Sequence, residues 1–509
     1  MATLEQHLSR YFHYDSFREG QKEIISDILS GQDVLGILPT GTGKSICYQL
    51  PALIQEGATI VVSPLISLMV DQVKQLKQKG IKRVVAINSF LDSNQKQKVL
   101  QHLHEYTLIY CSPEMLQNDR FMEALRKRIN VSLFVVDEAH CISQWGHEFR
   151  TDYLKLGEAA KKLGNPTMLA LSATAPLAIQ DDILTQLERP QMAKHIYPMD
   201  RENIALAVSH VNSMEEKIER MKTILKERPV PTMIYFSSRQ WTEKATFELR
   251  DALPHLRVAF YHGGMEHTDR LLIQQQFMND QLDVICCTSA FGMGVNKDNI
   301  RLVIHAHLPP QVESFLQEIG RAGRDGKQSV SLTFYSPGDG DLPRSLISSE
   351  LPEPHQLSQL RHYLVNLKQS HQPIPSSAEV EATLQLSEIQ WRFLNYQLEQ
   401  KDVIHGGFVR SEEPQLDSAL HEIMQTIEHR ALYKHEKLSE FIRWVHGDTC
   451  RRVTLYESFQ SSLKEPLEFC CDICDFSFDK WHPDILQGNH EVPQWEEALK
   501  RVFLQGDRL

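Results

Sequence analysis

Short runs of β-branched and aliphatic residues alternate with longer mixed stretches through the first two hundred or so positions of the chain. The runs are VLGIL (34–38), TIVVS (59–63), RVVAI (83–87), TLIYC (107–111), LFVVD (133–137) and MLALS (168–172). Such alternation predicts a parallel sheet covered by helices on both faces. The rhythm restarts after YPMDRENI (197–204) with TMIYF (232–236), VAFYH (258–262), DVICC (283–287), LVIHA (302–306) and SLTFY (331–335). Two α/β units in tandem are therefore expected, the second closed by the Pro-, Gly- and Asp-rich YSPGDGDLPRS (335–345). From 352 onward the pattern becomes helical. Residues 376–410 read as a short helix, a turn, a longer helix opened by a Ser387/Gln390 capping box, and a Gly-Gly turn at 406–407. That is the outline of a winged helix-turn-helix, with a purely structural helical spacer as the alternative. A helical hairpin over 430–464 and an amphipathic docking helix at 493–504 complete the pattern. The expected division is 1–199, 200–345, 346–430, 431–476 and a tail, 477–509.

The length of 509 residues suits three or four domains at about 150 residues each. Hydrophobic residues make up 41%, enough for several cores, which excludes wholesale disorder. No apolar stretch approaches the ~20 residues of a membrane span, and the first residues lack a signal-peptide core. The expected location is cytoplasmic (nucleoid-associated in a bacterium) or nuclear. The net charge of −12 argues against a generally basic nucleic-acid coat but leaves room for local basic grooves. Of nine cysteines, four cluster late in the chain: Cys450, Cys470, Cys471 and Cys474. Clustering in a reducing compartment suggests metal before disulfide.

LPTGTGKS (38–45) lies between a strand and an apolar helical run. Thr40, Gly41, Thr42 and Gly43 form a turn whose backbone N–H groups can wrap phosphates. Lys44 would reach the β/γ-phosphates and the Ser45 hydroxyl would ligate Mg²⁺. Asp137, ending a buried run, can hold the same Mg²⁺, while Glu138 orients or deprotonates the attacking water. QEIGRAGRDG (317–326) supplies Gln317, Arg321 and Arg324 from the second unit. Guanidinium groups brought from there would neutralise charge growing on the γ-phosphate, which places ATP between the units. Directly after the acidic pair come Trp145, His147, Phe149, Arg150 and Tyr153, side chains suited to stacking on bases and holding phosphates, with a buried aromatic cluster closing the domain as the alternative for Phe149 and Tyr153 individually.

With these motifs in order, the chain resembles the RecQ family of superfamily 2 DNA helicases. A first P-loop glycine is replaced by Leu38, as in that superfamily. The resemblance spans about 10–335 and rests on YDSFREGQKEII (14–25), SPLISLMVDQV (63–73), CSPEML (111–116), DEAHCISQWGHEFR (137–150), LSATA (171–175), YFSSR (235–239), YHGGM (261–265), TSAFGMGVNK (288–297) and IGRAGRDG (319–326). It implies two RecA-like domains and an ATP- and Mg²⁺-dependent DNA helicase moving 3′ to 5′ in recombination and repair. By resemblance, Tyr14 and Arg18 pack on adenine and Gln21 reads its edge. Ser63, Pro64 and Ser112 present their turns to the tracked strand. Trp145, Phe149 and Arg150 sense DNA, and Ser172 and Thr174 link nucleotide state to closure. Implied partners are single-stranded and duplex DNA, single-stranded-DNA-binding protein and other repair proteins, with no membrane.

Four thiolates can close a tetrahedral Zn²⁺ site that pins a small hairpin. Cys471 and Cys474 match the last two positions of the family's C-x₂-C-x₂-C, but the first falls on Glu468. Either Cys470 substitutes through a local backbone shift, or the site is three-cysteine or incomplete. The winged-helix candidate precedes the zinc cluster rather than following it, and nothing after 476 matches the helical HRDC domain of longer members, so a short form is implied. Rival readings are an ATP-gated DNA clamp or annealing scaffold without net unwinding, and an RNA helicase.

Overall fold

The computed structural model describes residues 3–88, 91–143, 150–292, 297–460 and 462–486. The first lobe is built on a seven-stranded, all-parallel sheet: β1 (Val34–Ile37), β2 (Ala58–Val62), β3 (Val84–Ile87), β4 (Leu108–Cys111), β5 (Val131–Val136), β6 (Thr167–Ser172) and β7 (Ala193–Ile196). Their order in space is β3-β4-β2-β5-β6-β1-β7. The second lobe holds β8 (Ile204–His210), β9 (Thr232–Tyr235), β10 (Val258–Tyr261), β11 (Val284–Cys287), β12 (Leu302–His305) and β13 (Ser329–Tyr335), also parallel, in the order β10-β11-β9-β12-β13-β8. Helices bury both faces, so the central strands carry unbroken apolar runs; β1, β2 and β4 are buried at every position.

Two strands, β7 and β8, are not among the expected runs, and both lie at sheet edges. In β7, Lys194 and Ile196 are exposed while Ala193 and His195 are half-buried. β8 follows the inter-lobe hinge directly, and its outer edge is covered from elsewhere. Leu206 N donates to Cys470 O (3.1 Å) and Asp472 N donates to Leu206 O (2.9 Å). The cysteine-bearing segment thus closes an edge that would otherwise present unpaired backbone groups.

After the second lobe, helices Pro354–Gln369, Ser377–Leu384 and Glu388–Gln400 enclose a core of their own around Leu360, Leu364, Trp391 and Leu394. Ser387 accepts from Gln390 N (3.2 Å) while Gln390 Oε1 accepts from Ser387 N (2.9 Å), the expected capping box. A two-stranded antiparallel wing follows, β14 (Ile404–His405) and β15 (Phe408–Val409), its Gly406–Gly407 tip at φ +59° and +78°. One correction concerns the boundary expected at 430/431. It falls inside a single helix, Glu413–His446, 34 residues long, whose first half packs on the winged-helix core and whose second half packs on the second lobe. Among the described residues no helix is long and apolar enough to cross a membrane. The docking helix expected at 493–504 lies outside the described residues.

Candidate functional site

Ligand-binding residues in parallel α/β sheets collect where the carboxyl ends of the strands meet loops. Along that edge of the first sheet, the spatial order β4-β2-β5-β6-β1 sets Ser112, Ser63, Asp137, Ser172 and the P-loop side by side. Asp137 therefore stands on the strand next to the one ending at Ser63, and its N–H donates to Val62 O (2.9 Å). Neighbouring strands are about 4.8 Å apart. The Ser63-Pro64 turn expected to track DNA is thus adjacent to the carboxylate expected to hold Mg²⁺, with the Ser112 turn one strand farther out.

The P-loop runs from β1 into helix Ile46–Ile54, with Gly41 at φ +84° and Gly43 at φ +74°, the left-handed region open to glycine. Lys44, Ser45, Asp137 and Glu138 line one cleft of about 550 Å³ together with Tyr14, Arg18, Gln21, Thr40, Gly41 and Gly43. Gln21 is buried, and its Nε2 donates to Thr42 O (2.8 Å) and Gly43 O (3.0 Å) while its Oε1 accepts from Arg18 N (3.0 Å). Its amide holds the P-loop in shape here. Arg18 donates to Gly41 O, and Tyr14 is half exposed with Lys79 Nζ 5.2 Å from its ring centre.

Burial, reinforced by the adjacent Glu138 and opposed by Lys44, raises the Asp137 carboxyl well above the ordinary carboxylate range. Lys44 Nζ lies 3.9 Å from Glu138 Oε1, and the buried Glu138 Oε2 makes no hydrogen bond. A buried carboxylate pair beside the Ser45 hydroxyl is a donor set that suits a hard divalent cation. Glu138 Oε2 lies 3.4 Å from His140 Nδ1, and that nitrogen is 3.0 Å from Ser172 Oγ, which also contacts Thr174 N. His140 thus stands between Glu138 and the SAT segment, bonded to the Ser172 hydroxyl.

The second lobe contributes Gln317, Arg321 and Arg324 to the same cleft. Arg321 donates to Gly292 O, but its Nε has no acceptor. Burial, with Arg321 and Arg201 alongside, lowers Arg324 to about 9. Three crowded guanidinium groups favour a polyanion. Arg201 is the residue that sequence reading missed. It lies in the hinge stretch taken only as a restart, yet its Nη1 donates to Thr40 O (3.3 Å) in the first lobe and its Nη2 to Gly323 O (2.6 Å) in the second. Nothing in a D-R-E-N run signals this, because the contact depends on how the lobes close. Asp71, which accepts from Gln274 Nε2 (3.0 Å) across the lobes, was equally invisible.

On the DNA side, Trp145 and Phe149 lie outside the described residues. Arg150 Nη1 donates to Pro64 O (2.8 Å), joining the end of the aromatic loop to the first Ser-Pro turn. Tyr153 takes the buried alternative rather than the stacking one: it is fully buried and its hydroxyl donates to Asp137 O (3.1 Å), bracing the end of β5.

The four late cysteines converge. Cys450–Cys470, Cys471–Cys474 and Cys450–Cys471 sulfurs are 3.6, 3.5 and 4.0 Å apart, and all four lie within 4.8 Å of one another. Zn–S bonds of about 2.3 Å in a tetrahedron require S···S edges of roughly 3.8 Å. The geometry fits zinc with Cys470 as fourth ligand, so the alternative of a three-cysteine set loses its ground. The platform also grips the hinge: Arg452 donates to Arg201 O (2.9 Å) and Ile204 O (2.6 Å), and Gln460 Oε1 accepts from Met199 N (2.6 Å).

Comparison with known proteins agrees with this arrangement. The DEAD/DEAH box helicase family matches residues 18–183, and the helicase conserved C-terminal domain matches 216–326. The chain is 40% identical over 507 residues to the probable ATP-dependent DNA helicase RecS of Bacillus subtilis, covering 99% of this chain and 98% of that protein. It is 42% identical over 334 residues to the ATP-dependent DNA helicase RecQ of Haemophilus influenzae, 65% of this chain and 53% of that one. In fold it is similar to the Mycobacterium smegmatis helicase Lhr bound to single-stranded DNA and AMP-PNP, with a TM-score of 0.57 at 20% identity over 82% of this chain and 61% of the other.

Proposed function

Since the chain belongs to the RecQ family of ATP-dependent DNA helicases, we propose that it steps 3′ to 5′ along single-stranded DNA and unwinds duplexes in recombination and repair. The observation that carries this reading is the shared cleft, where Lys44, Asp137 and Glu138 of one lobe face Gln317, Arg321 and Arg324 of the other. Lys44 and the P-loop amides orient the phosphates, and Asp137 and Ser45 would hold Mg²⁺. When bound, that cation screens the phosphate oxygens. Glu138 positions water, and Arg321 and Arg324 stabilise the charge that develops in transfer. The Ser63, Pro64 and Ser112 turns hold the strand beside Asp137, with Trp145, Phe149 and Arg150 as its sensor. Tyr14 and Arg18 hold the adenine, and Cys450, Cys470, Cys471 and Cys474 would hold zinc that fixes the hinge-gripping platform. Single-stranded-DNA-binding protein and other repair proteins are its partners in the cytoplasm.

A fluorescence unwinding assay tests this with 3′-tailed and 5′-tailed DNA duplexes and RNA duplexes. Separation of the 3′-tailed DNA alone is expected. Hydrolysis without strand separation would instead make the protein an ATP-gated clamp or annealing scaffold, and separation of RNA would make it an RNA helicase.

A further inference from the structure

The winged-helix unit is rooted in the second lobe at both ends. The chain enters it after helix Asp341–Glu350 and leaves through Glu413–His446, and these helices pack on one another, the latter also on Val312–Ile319. Its far side nevertheless reaches the first lobe. Glu399 Oε2 accepts from Lys155 Nζ (2.9 Å), while Arg392 Nη1 lies 3.7 Å from Glu114 and 3.9 Å from Asp152. Asn395 and Tyr396 complete the polar seam.

The landing points are specific. Glu114 lies in the turn Pro113–Gln117, immediately after Ser112, and Asp152 and Lys155 lie in the turn Thr151–Lys155, immediately after Arg150. In helix-turn-helix proteins the second helix commonly enters the DNA groove. Here the second helix, Glu388–Gln400, gives its polar residues to the first lobe. Nor does the unit offer a basic surface: residues 354–411 carry five Lys or Arg (361, 368, 392, 401, 410) against five Asp or Glu (379, 381, 388, 399, 402). Four of the five cations are already in ion pairs: Arg361 with Asp417, Lys368 with Glu412, Lys401 with Glu422, and Arg392 with Glu388 of its own helix (2.7 Å) besides the first-lobe carboxylates.

We propose that the inserted helix-turn-helix is a strap between the lobes rather than a DNA reader: anchored in the second lobe, it holds the first through Glu399–Lys155 and Arg392 with Glu114 and Asp152. Opening the cleft requires those contacts to separate, because the anchor moves with the second lobe. The strap therefore favours the closed arrangement that binds ATP, and it grips the lobe beside Ser112 and Arg150. The proposal rests on the reading that the lobes close on ATP.

The test is the apparent KM for ATP of the full-length protein at saturating single-stranded DNA, from about 50 mM to about 500 mM salt. Lys155→Glu and Glu399→Lys should each raise KM about threefold at low salt, with kcat little changed, and flatten its salt dependence. The double swap, Lys155→Glu with Glu399→Lys, should restore both. Both positions are about one-third exposed, and unchanged zinc content and melting temperature establish that each variant is folded. Single variants that match wild type, or a double swap no better than its parents, would overturn the strap. Wild-type protein with no ATP hydrolysis at all would instead overturn the functional reading beneath it.

Discussion

Replacing Gly320 with alanine tests whether the lobes must meet where this structure brings them together. Gly320 precedes Arg321, and its φ of −61° is open to any residue, so backbone strain plays no part. Contact decides the outcome. A Cβ at Gly320 would lie 1.8 Å from Thr40 Oγ1, 2.9 Å from Thr40 Cβ and 3.0 Å from Leu316 O. Turning the Thr40 hydroxyl aside leaves the Thr40 Cβ too close, since carbon atoms rest at about 3.5–4.0 Å. Relief requires the P-loop and the arginine segment to part by roughly 1 Å, and a shift of that size can cost about 10²-fold in rate. Gly320→Ala should therefore lower DNA-stimulated kcat/KM for ATP by about 10²-fold. Melting temperature, and single-stranded DNA affinity by fluorescence anisotropy, should remain near wild type. Adding Thr40→Ala removes the 1.8 Å contact and should recover part of the loss. A Gly320→Ala protein with wild-type turnover would refute the lobe-to-lobe contact.

Lys44→Ala removes the ammonium that reaches the phosphates; hydrolysis should vanish while anisotropy still reports DNA binding, and retained turnover would contradict the phosphate site. Cys470→Ser should drop zinc content well below one per chain and lower the melting temperature by several degrees, because structural zinc sites contribute about 10–16 kcal/mol in small domains; full zinc retention would restore a three-cysteine site. His307 is lowered to about 4 by burial, with Lys217 nearby, and Ser237 N donates to its Nδ1 (3.3 Å), which requires a neutral ring. Its folded value is depressed, so its contribution is complete above about pH 6.5 and is lost as pH falls towards 4, about 3 kcal/mol in all. His307→Gln should flatten the fall in urea-unfolding stability between about pH 7 and about pH 4.5, and an unchanged slope would remove the assignment.

The sequence disclosed what is local. Buried strands such as β2 and β5 announce themselves because both faces are covered, and the P-loop is legible because strand, glycines, Lys44 and Ser45 are contiguous. β7 was lost because an edge strand exposes Lys194 and Ile196, so its polarity resembles a loop. Arg201 and Asp71 were lost because Arg201 bridges from the hinge to Thr40 of one lobe and Gly323 of the other, and Asp71 pairs with Gln274 across the seam; such contacts leave no periodic trace in either segment. Cys470 stood two residues away from the family position at Glu468, and only the fold shows its sulfur 3.6 Å from that of Cys450. Tyr153 stayed open between two readings because aromatic composition cannot distinguish a base-stacking face from a ring packed behind a strand.

The mechanism proposed here is that ATP held between the two lobes is hydrolysed when a single strand occupies the Ser63 and Ser112 turns, one and two strands away from Asp137. Steady-state ATP turnover by the purified full-length chain, measured with and without single-stranded DNA at fixed salt, tests it most directly. Slow turnover alone and stimulation of at least about tenfold by DNA, a barrier change of about 1.4 kcal/mol, are expected. Equal turnover in the presence and absence of DNA would contradict it.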